Sequence, residues 1–133
     1  MPAIRQFLFV SRLSEECKFN DVIRIVSVSR ENNMREGISG LMYFDGQYFC
    51  HYLEGDSRPM IELSARILAD ARHLDVVPLL QREIGTVRLY EDWRIGFSPD
   101  GASTAVQRLT ALRDEAALVA FLRIQTLKDF ELF

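Results

Sequence analysis

Residues 4–10 set the first constraint on this chain, because both faces of that segment are apolar. In an extended strand successive side chains alternate, so Ile4, Leu8 and Val10 point one way while Phe7 and Phe9 point the other. Neither face suits water. The segment predicts a central strand in a sheet covered on both sides.

The following segments supply the cover. Asn20 or Asp21 is the expected cap of a helix running to about Asn33. Its stripe is Val22, Ile25, Val26, Ser29 and Asn33, at offsets of three, four, seven and eleven. That spacing places Asn33 on the buried face in the last turn, where its amide needs a partner that a ligand can supply. Gly37 ends the segment as glycine commonly ends helices. Strands over 39–44 and 47–53 flank Asp45-Gly46, a strong hairpin signal. Asp56 or Ser57 caps a second helix with Pro59 in its first turn and Met60, Leu63, Ile67 and Ala71 on its stripe.

Residues 76–86, with Pro78 near the start, and 93–97 read as further strands. The order β-α-β-β-α-β-β predicts an α+β, ferredoxin-like sheet with two helices on one face. After a break at Pro99-Asp100-Gly101, residues 104–128 predict one or two amphipathic helices. Their Leu109, Leu112, Leu118, Phe121 and Leu122 are expected to cover the second face. Residues 1–98 thus read as one domain and 99–133 as a helical cap on its sheet.

Several function classes are disfavoured. A net charge of −3, with arginines scattered along the chain, does not suit a nucleic-acid surface. The basic, aromatic strand motif that stacks RNA bases is absent. Apolar runs fall far short of the ~20 residues that a membrane span needs, and no signal-peptide pattern opens the chain. Cys17 and Cys50 have no metal or redox spacing and read as reduced thiols of a cytoplasmic protein. His51 and His73, with 21 positions between them, make a poor metal pair. No glycine-rich phosphate loop, P-loop lysine or serine elbow suggests an enzyme.

Four pieces remain: Ser29-Arg30-Glu31-Asn32-Asn33; Gly37-Ile38-Ser39-Gly40-Leu41-Met42-Tyr43; Asp45-Gly46-Gln47-Tyr48-Phe49-Cys50-His51-Tyr52-Leu53-Glu54-Gly55; and Asp70-Ala71-Arg72-His73. In that order and spacing they resemble the blue-light-sensing flavin domain BLUF, over about residues 3–97. The resemblance implies an isoalloxazine ring, usually of FAD, between the two helices over one sheet face. By position, Ile25 and Ile67 would hold the ring from either side. Asn32 and Asn33 would bond its polar edge with Arg30 close by, and Phe49 would lie beneath it. Asp70, Arg72 and His73 would approach the ribityl and phosphate side. Trp93 matches the family's tryptophan near the flavin, and Ile95 stands where a methionine is usual.

Two positions depart from the pattern. Phe9 stands where the family has a redox-active tyrosine, and His51 where it has a glutamine touching the flavin. The resemblance therefore implies a flavin-binding regulatory domain with the photocycle altered or absent. It also implies a homo-oligomer acting through a downstream regulatory protein. The alternative is a flavin-free interaction module, with the apolar tail 130–133 as part of its surface.

Overall fold

The computed structural model describes residues 3–44, 47–70, 73–97, 105–124 and 131–132. In chain order the elements are β1 (Ile4–Leu13), α1 (Phe19–Arg35), β2 (Ser39–Phe44), β3 (Tyr48–Asp56) and α2 (Ser57–Ala69). They continue with β4 (His73–Ile84), β5 (Trp93–Phe97), α3 (Ala105–Leu109), α4 (Asp114–Ile124) and β6 (Glu131–Leu132). The expected turns at Asp45-Gly46 and Pro99-Asp100-Gly101 lie outside the described residues, as does Ala71.

The strand order is β4-β1-β3-β2-β5-β6, so β1 is interior, as its two apolar faces require. It runs antiparallel to both β3 and β4, β2 runs antiparallel to β3, and β5 lies parallel to β2. This is the ferredoxin-like sheet, extended beyond β2 by β5 and β6. Pro78 sits in edge strand β4, where a missing backbone donor is tolerated. The β1–β4 register shifts between Val10 and Arg12, and Asp75 there adopts a positive φ of 52°. Its carboxylate accepts from the Arg12 guanidinium at 3.0 Å, tying the irregularity back to β1.

Each face of the sheet has its own core. On one side Phe7, Phe9, Met42, Phe44, Phe49 and Leu53 pack with Val26 of α1 and Met60 of α2. On the other, Leu8, Val10, Leu41, Tyr43 and Tyr52 pack with Val106 and Leu109 of α3 and Leu118 and Phe121 of α4. The C-terminal helices therefore cover the second face, with Leu112 and Leu122 packed at its margin.

Several boundaries differ from expectation, and β4 runs from His73 to Ile84 where a strand over 76–86 was expected. Helix α1 begins at Phe19 with Lys18 as N-cap, not at Asn20 or Asp21. The Asp21 carboxylate reaches back to accept the Lys18 backbone N–H at 2.9 Å, so it serves from inside the first turn. Strand β3 continues to Asp56, three residues past its expected end at Leu53.

Gly40 lies in β2 between Leu53 of β3 and Trp93 of β5. Its φ is +154°, and a Cβ there would collide with the Tyr52 carbonyl. The site therefore requires glycine for both conformation and space. Gly40→Ala is expected to destabilise the fold by roughly 2–3 kcal/mol, read from the denaturant midpoint. A loss under about 0.5 kcal/mol would mean that the strands relax freely around the methyl group.

Candidate flavin slot between two helices

A cavity of about 430 Å³ lies between α1 and α2 over β3. Helix α1 and its C-cap give it Ser29, Asn32, Asn33 and Glu36; α2 and its C-cap give it Leu63, Arg66, Ile67 and Asp70. Both sets have offsets of zero, three, four and seven, the spacing of a single helix face. Two matched helix faces thus oppose each other across a slot. Its floor comes from His51 and Leu53, two apart on β3 and so on one side of the sheet. Arg35 completes the lining.

The slot is buried and polar at defined points. Asn33 is 4% exposed and His51 7%. Phe9 is the direct register partner of His51 across β1 and β3, with ring centroids 5.3 Å apart. On the other side, Trp93 meets the imidazole edge-on at 5.4 Å. The imidazole Nε2 is enclosed, and the Trp93 indole N–H is buried without a hydrogen-bond partner among the described residues. A buried orphan donor costs free energy unless something accepts from it. The slot's volume, its apolar Leu53, Leu63 and Ile67, and its few convergent polar groups suit a flat heteroaromatic ligand.

The profile of the BLUF family, described as sensors of blue-light using FAD, matches residues 4–96. This chain belongs to the BLUF family. The photoactivated adenylate cyclase subunit beta of Euglena gracilis is 28% identical over 94 residues, which is 69% of this chain and 11% of that protein. The blue light- and temperature-regulated antirepressor BluF of Escherichia coli K12 is 26% identical over 73 residues, 18% of its length. The chain thus spans less than a fifth of either curated relative. BlrB, a BLUF protein solved in its dark state, superposes with a TM-score of 0.72 at 26% identity, covering 96% of this chain and 99% of BlrB.

Of the residues assigned by position in the BLUF pattern, Asn32, Asn33, His51, Ile67 and Asp70 line the slot. Phe9 and Trp93 are fully buried and flank His51 beneath it. Phe49 is in the same core but stacks on Phe44 at 4.4 Å and does not line the cavity. Arg30 does not line it either and is exposed, because one position after Ser29 turns the helix by about 100° away from the slot. Arg72 lies outside the described residues, as do the side chains of Ile25 and His73. Sequence reasoning placed Ser29 and Leu63 on the helix stripes without assigning them to the site, and it missed Arg35, Glu36, Leu53 and Arg66 altogether as lining residues. The repeat of offsets on α2, from Leu63 to Asp70, was the signal that would have found Arg66. Among the described residues no helix is long and apolar enough to cross a membrane, and no group of acidic, histidine or cysteine side chains could hold a metal.

A hydrogen-bonded tyrosine and glutamine do exist in this BLUF chain, on the other side of the sheet. Gln6 Nε2 donates to the Tyr52 hydroxyl at 2.7 Å, and that hydroxyl donates to Glu54 Oε1 at 3.0 Å. The Gln6 carbonyl accepts from Arg82 Nε at 2.8 Å. Tyr52 packs with Tyr90 and Phe121 in the core under α4, so the backbone layer separates it from the slot.

Burial pushes the Tyr52 phenol far above its usual range, and the Glu54 charge adds to the shift. The folded chain keeps that proton while the unfolded chain releases it near pH ~10, so this contribution to stability is full below that pH and lost above it. Tyr52→Phe is expected to flatten the alkaline fall in melting temperature relative to the parent. At neutral pH it should cost about 1–2 kcal/mol, because Gln6 and Glu54 each lose a partner. Parallel alkaline curves for the two proteins would remove Tyr52 as the titrating group.

Proposed function

We propose that this BLUF chain binds FAD in the slot between α1 and α2 and serves as a flavin-dependent regulatory sensor with its photocycle altered or absent. The observation that carries the reading is the pair of opposed helix faces, one of them holding the buried Asn33, over a floor that holds the buried His51. A flavin supplies blue-light absorption and a reducible ring. Leu53, Leu63 and Ile67 offer apolar contact to such a ring, and the amides of Asn32 and Asn33 can satisfy its polar edge. The buried indole N–H of Trp93 supports a polar neighbour at the same end.

The magnitudes favour retention of the cofactor. Burying roughly 300 Å² of ring at ~25 cal/mol/Å² gives roughly 7 kcal/mol gross, before association costs. Exchanging a tyrosine and a glutamine for Phe9 and His51 forfeits hydrogen bonds worth only ~1 kcal/mol each. Binding therefore outlasts the photochemistry. Phe9 has no hydroxyl to give up a proton, and the His51 ring cannot reproduce the rotation of an amide. Tyr52 and Gln6, behind the sheet, are not placed to substitute for them.

Output follows the family's pattern of pairing one sensor with varied effectors. The relatives described as an adenylate cyclase subunit and an antirepressor support that variety, and here the effector is proposed to be a separate regulatory protein in the cytoplasm. The homo-oligomer implied by the family belongs to the same proposal.

Absorption spectroscopy of the FAD-reconstituted chain, before and after a blue flash, tests the reading. The expected result is a bound-flavin spectrum with no long-lived, reversible red shift, and recovery of such a shift in Phe9→Tyr/His51→Gln. A normal shift in the parent would overturn the altered photocycle. A protein that takes up no flavin would favour the interaction module instead.

A further inference from the structure

The two ends of the sheet are protected unequally. Strand β4 closes one end and is blunted for pairing: Pro78 lacks a backbone donor, and the register shift beside Asp75 is tied back to Arg12. Toward the other end, β5 has no proline and pairs with β2 without a register shift. All five of its residues pair inward, Trp93 to Phe97 against Gly40 to Phe44. The Gly40 N–H bond to the Asp92 carbonyl at 3.0 Å fixes where the strand begins. Outward, among the described residues, only Gly96 and Phe97 pair, with Leu132 and Glu131 of β6. A firmly held template of five residues is thus covered by a strand of two.

Adding a strand to such an edge needs only an extended backbone, while side chains decide which segment is accepted. The segment seated on β5 shows what the edge takes. It belongs to the stretch Phe130-Glu131-Leu132-Phe133, apolar residues around one carboxylate. The charge that β5 itself presents is the Arg94 guanidinium, half-exposed and 2.9 Å from Asp92, and an acidic neighbour suits it. We propose that the outer edge of β5 is a strand-acceptor site for a partner protein: an extended apolar segment carrying an acidic residue adds antiparallel to β5 and displaces β6. The chain's own residues 131–132 are then the competitor that covers the edge until such a segment arrives. Being tethered, that competitor acts at high effective concentration, which sets a threshold for displacement. No flavin enters this inference, so it stands apart from the reading of the slot.

Fluorescence anisotropy reads the exchange, with a labelled synthetic peptide of residues 126–133 titrated into the full chain. Glu131→Pro/Leu132→Pro removes both backbone donors of β6 and should open the edge. The peptide should bind this variant at least about tenfold tighter than the parent, and amide hydrogen exchange across 93–97 should slow as it binds. The same peptide carrying both prolines should not bind, and one carrying Glu131→Lys should bind several-fold more weakly. Thermal melts confirm that the variant is folded. If it is not, the parent decides: excess peptide should speed exchange at Leu132 while 93–97 stay protected, and no change at Leu132 would overturn the displacement. Equal affinity for parent and variant, or binding without protection of 93–97, would remove the acceptor site. A concentration-dependent dimer of the parent that the double proline variant abolishes would assign β6 to a second copy and overturn the partner reading.

Discussion

The register between β1 and β3 decides what each side of this sheet can do. Phe9 faces His51 and Phe7 faces Leu53, and these residues point toward α1 and α2. Val10 faces Cys50 and Leu8 faces Tyr52, and these point toward α3 and α4. A slip of one residue would exchange the two sets. The slot would then lose its imidazole floor to a phenol or a thiol, and His51 would be driven into the core under α4. The alternating apolar pattern of β1 forbids that slip, because both its faces are already filled with large side chains that fit only one partner set.

A second dependence runs through Glu54. Its carboxylate is fully buried and accepts from the Tyr52 hydroxyl, from Leu89 N–H at 2.9 Å and from Tyr90 N–H at 2.7 Å. Arg88 adds a bond to the Glu54 backbone carbonyl at 3.3 Å and one to the Ser39 hydroxyl at 2.9 Å. These contacts hold the segment between β4 and β5 against the ends of β2 and β3. Trp93 follows that segment directly, with Gly40 N–H bonded to the Asp92 carbonyl at 3.0 Å beside it. A carboxylate on one face of the sheet thus fixes the entry point of the tryptophan that flanks His51 beneath the slot on the other.

That dependence explains which features were legible in the chain. Local periodicity placed the strands, both helix stripes and the burial of Asn33, because those signals lie within a few residues of one another. The end of β3 was not legible. Glu54 reads as a solvated turn residue until its donors are known, and they lie 35 and 36 positions away. The same limit hid Glu36 and Arg66, which are 30 positions apart and look like ordinary charges on helices taken singly. Arg30 shows the opposite error, since position in a pattern suggested proximity that one step of helical rotation removes. Strand β6 left no trace, being two residues long.

The two faces also differ in how tightly their polar groups are matched, and this bears on where change can occur. Behind the sheet, Gln6, Tyr52, Glu54 and Arg82 satisfy one another, and Arg82 extends the chain of contacts to Glu115 of α4 at 2.7 Å. Removing any member strands its neighbours in a core, so this side resists rearrangement. In front, the slot is walled by two helices that meet across it, among the described residues, through one exposed ion pair, and the indole donor beneath its floor has no acceptor among those residues. Groups on that side gain from a polar partner and lose little by moving to meet it. The polar groups behind the sheet are thus matched to one another, whereas those in front are left for the proposed ligand to match.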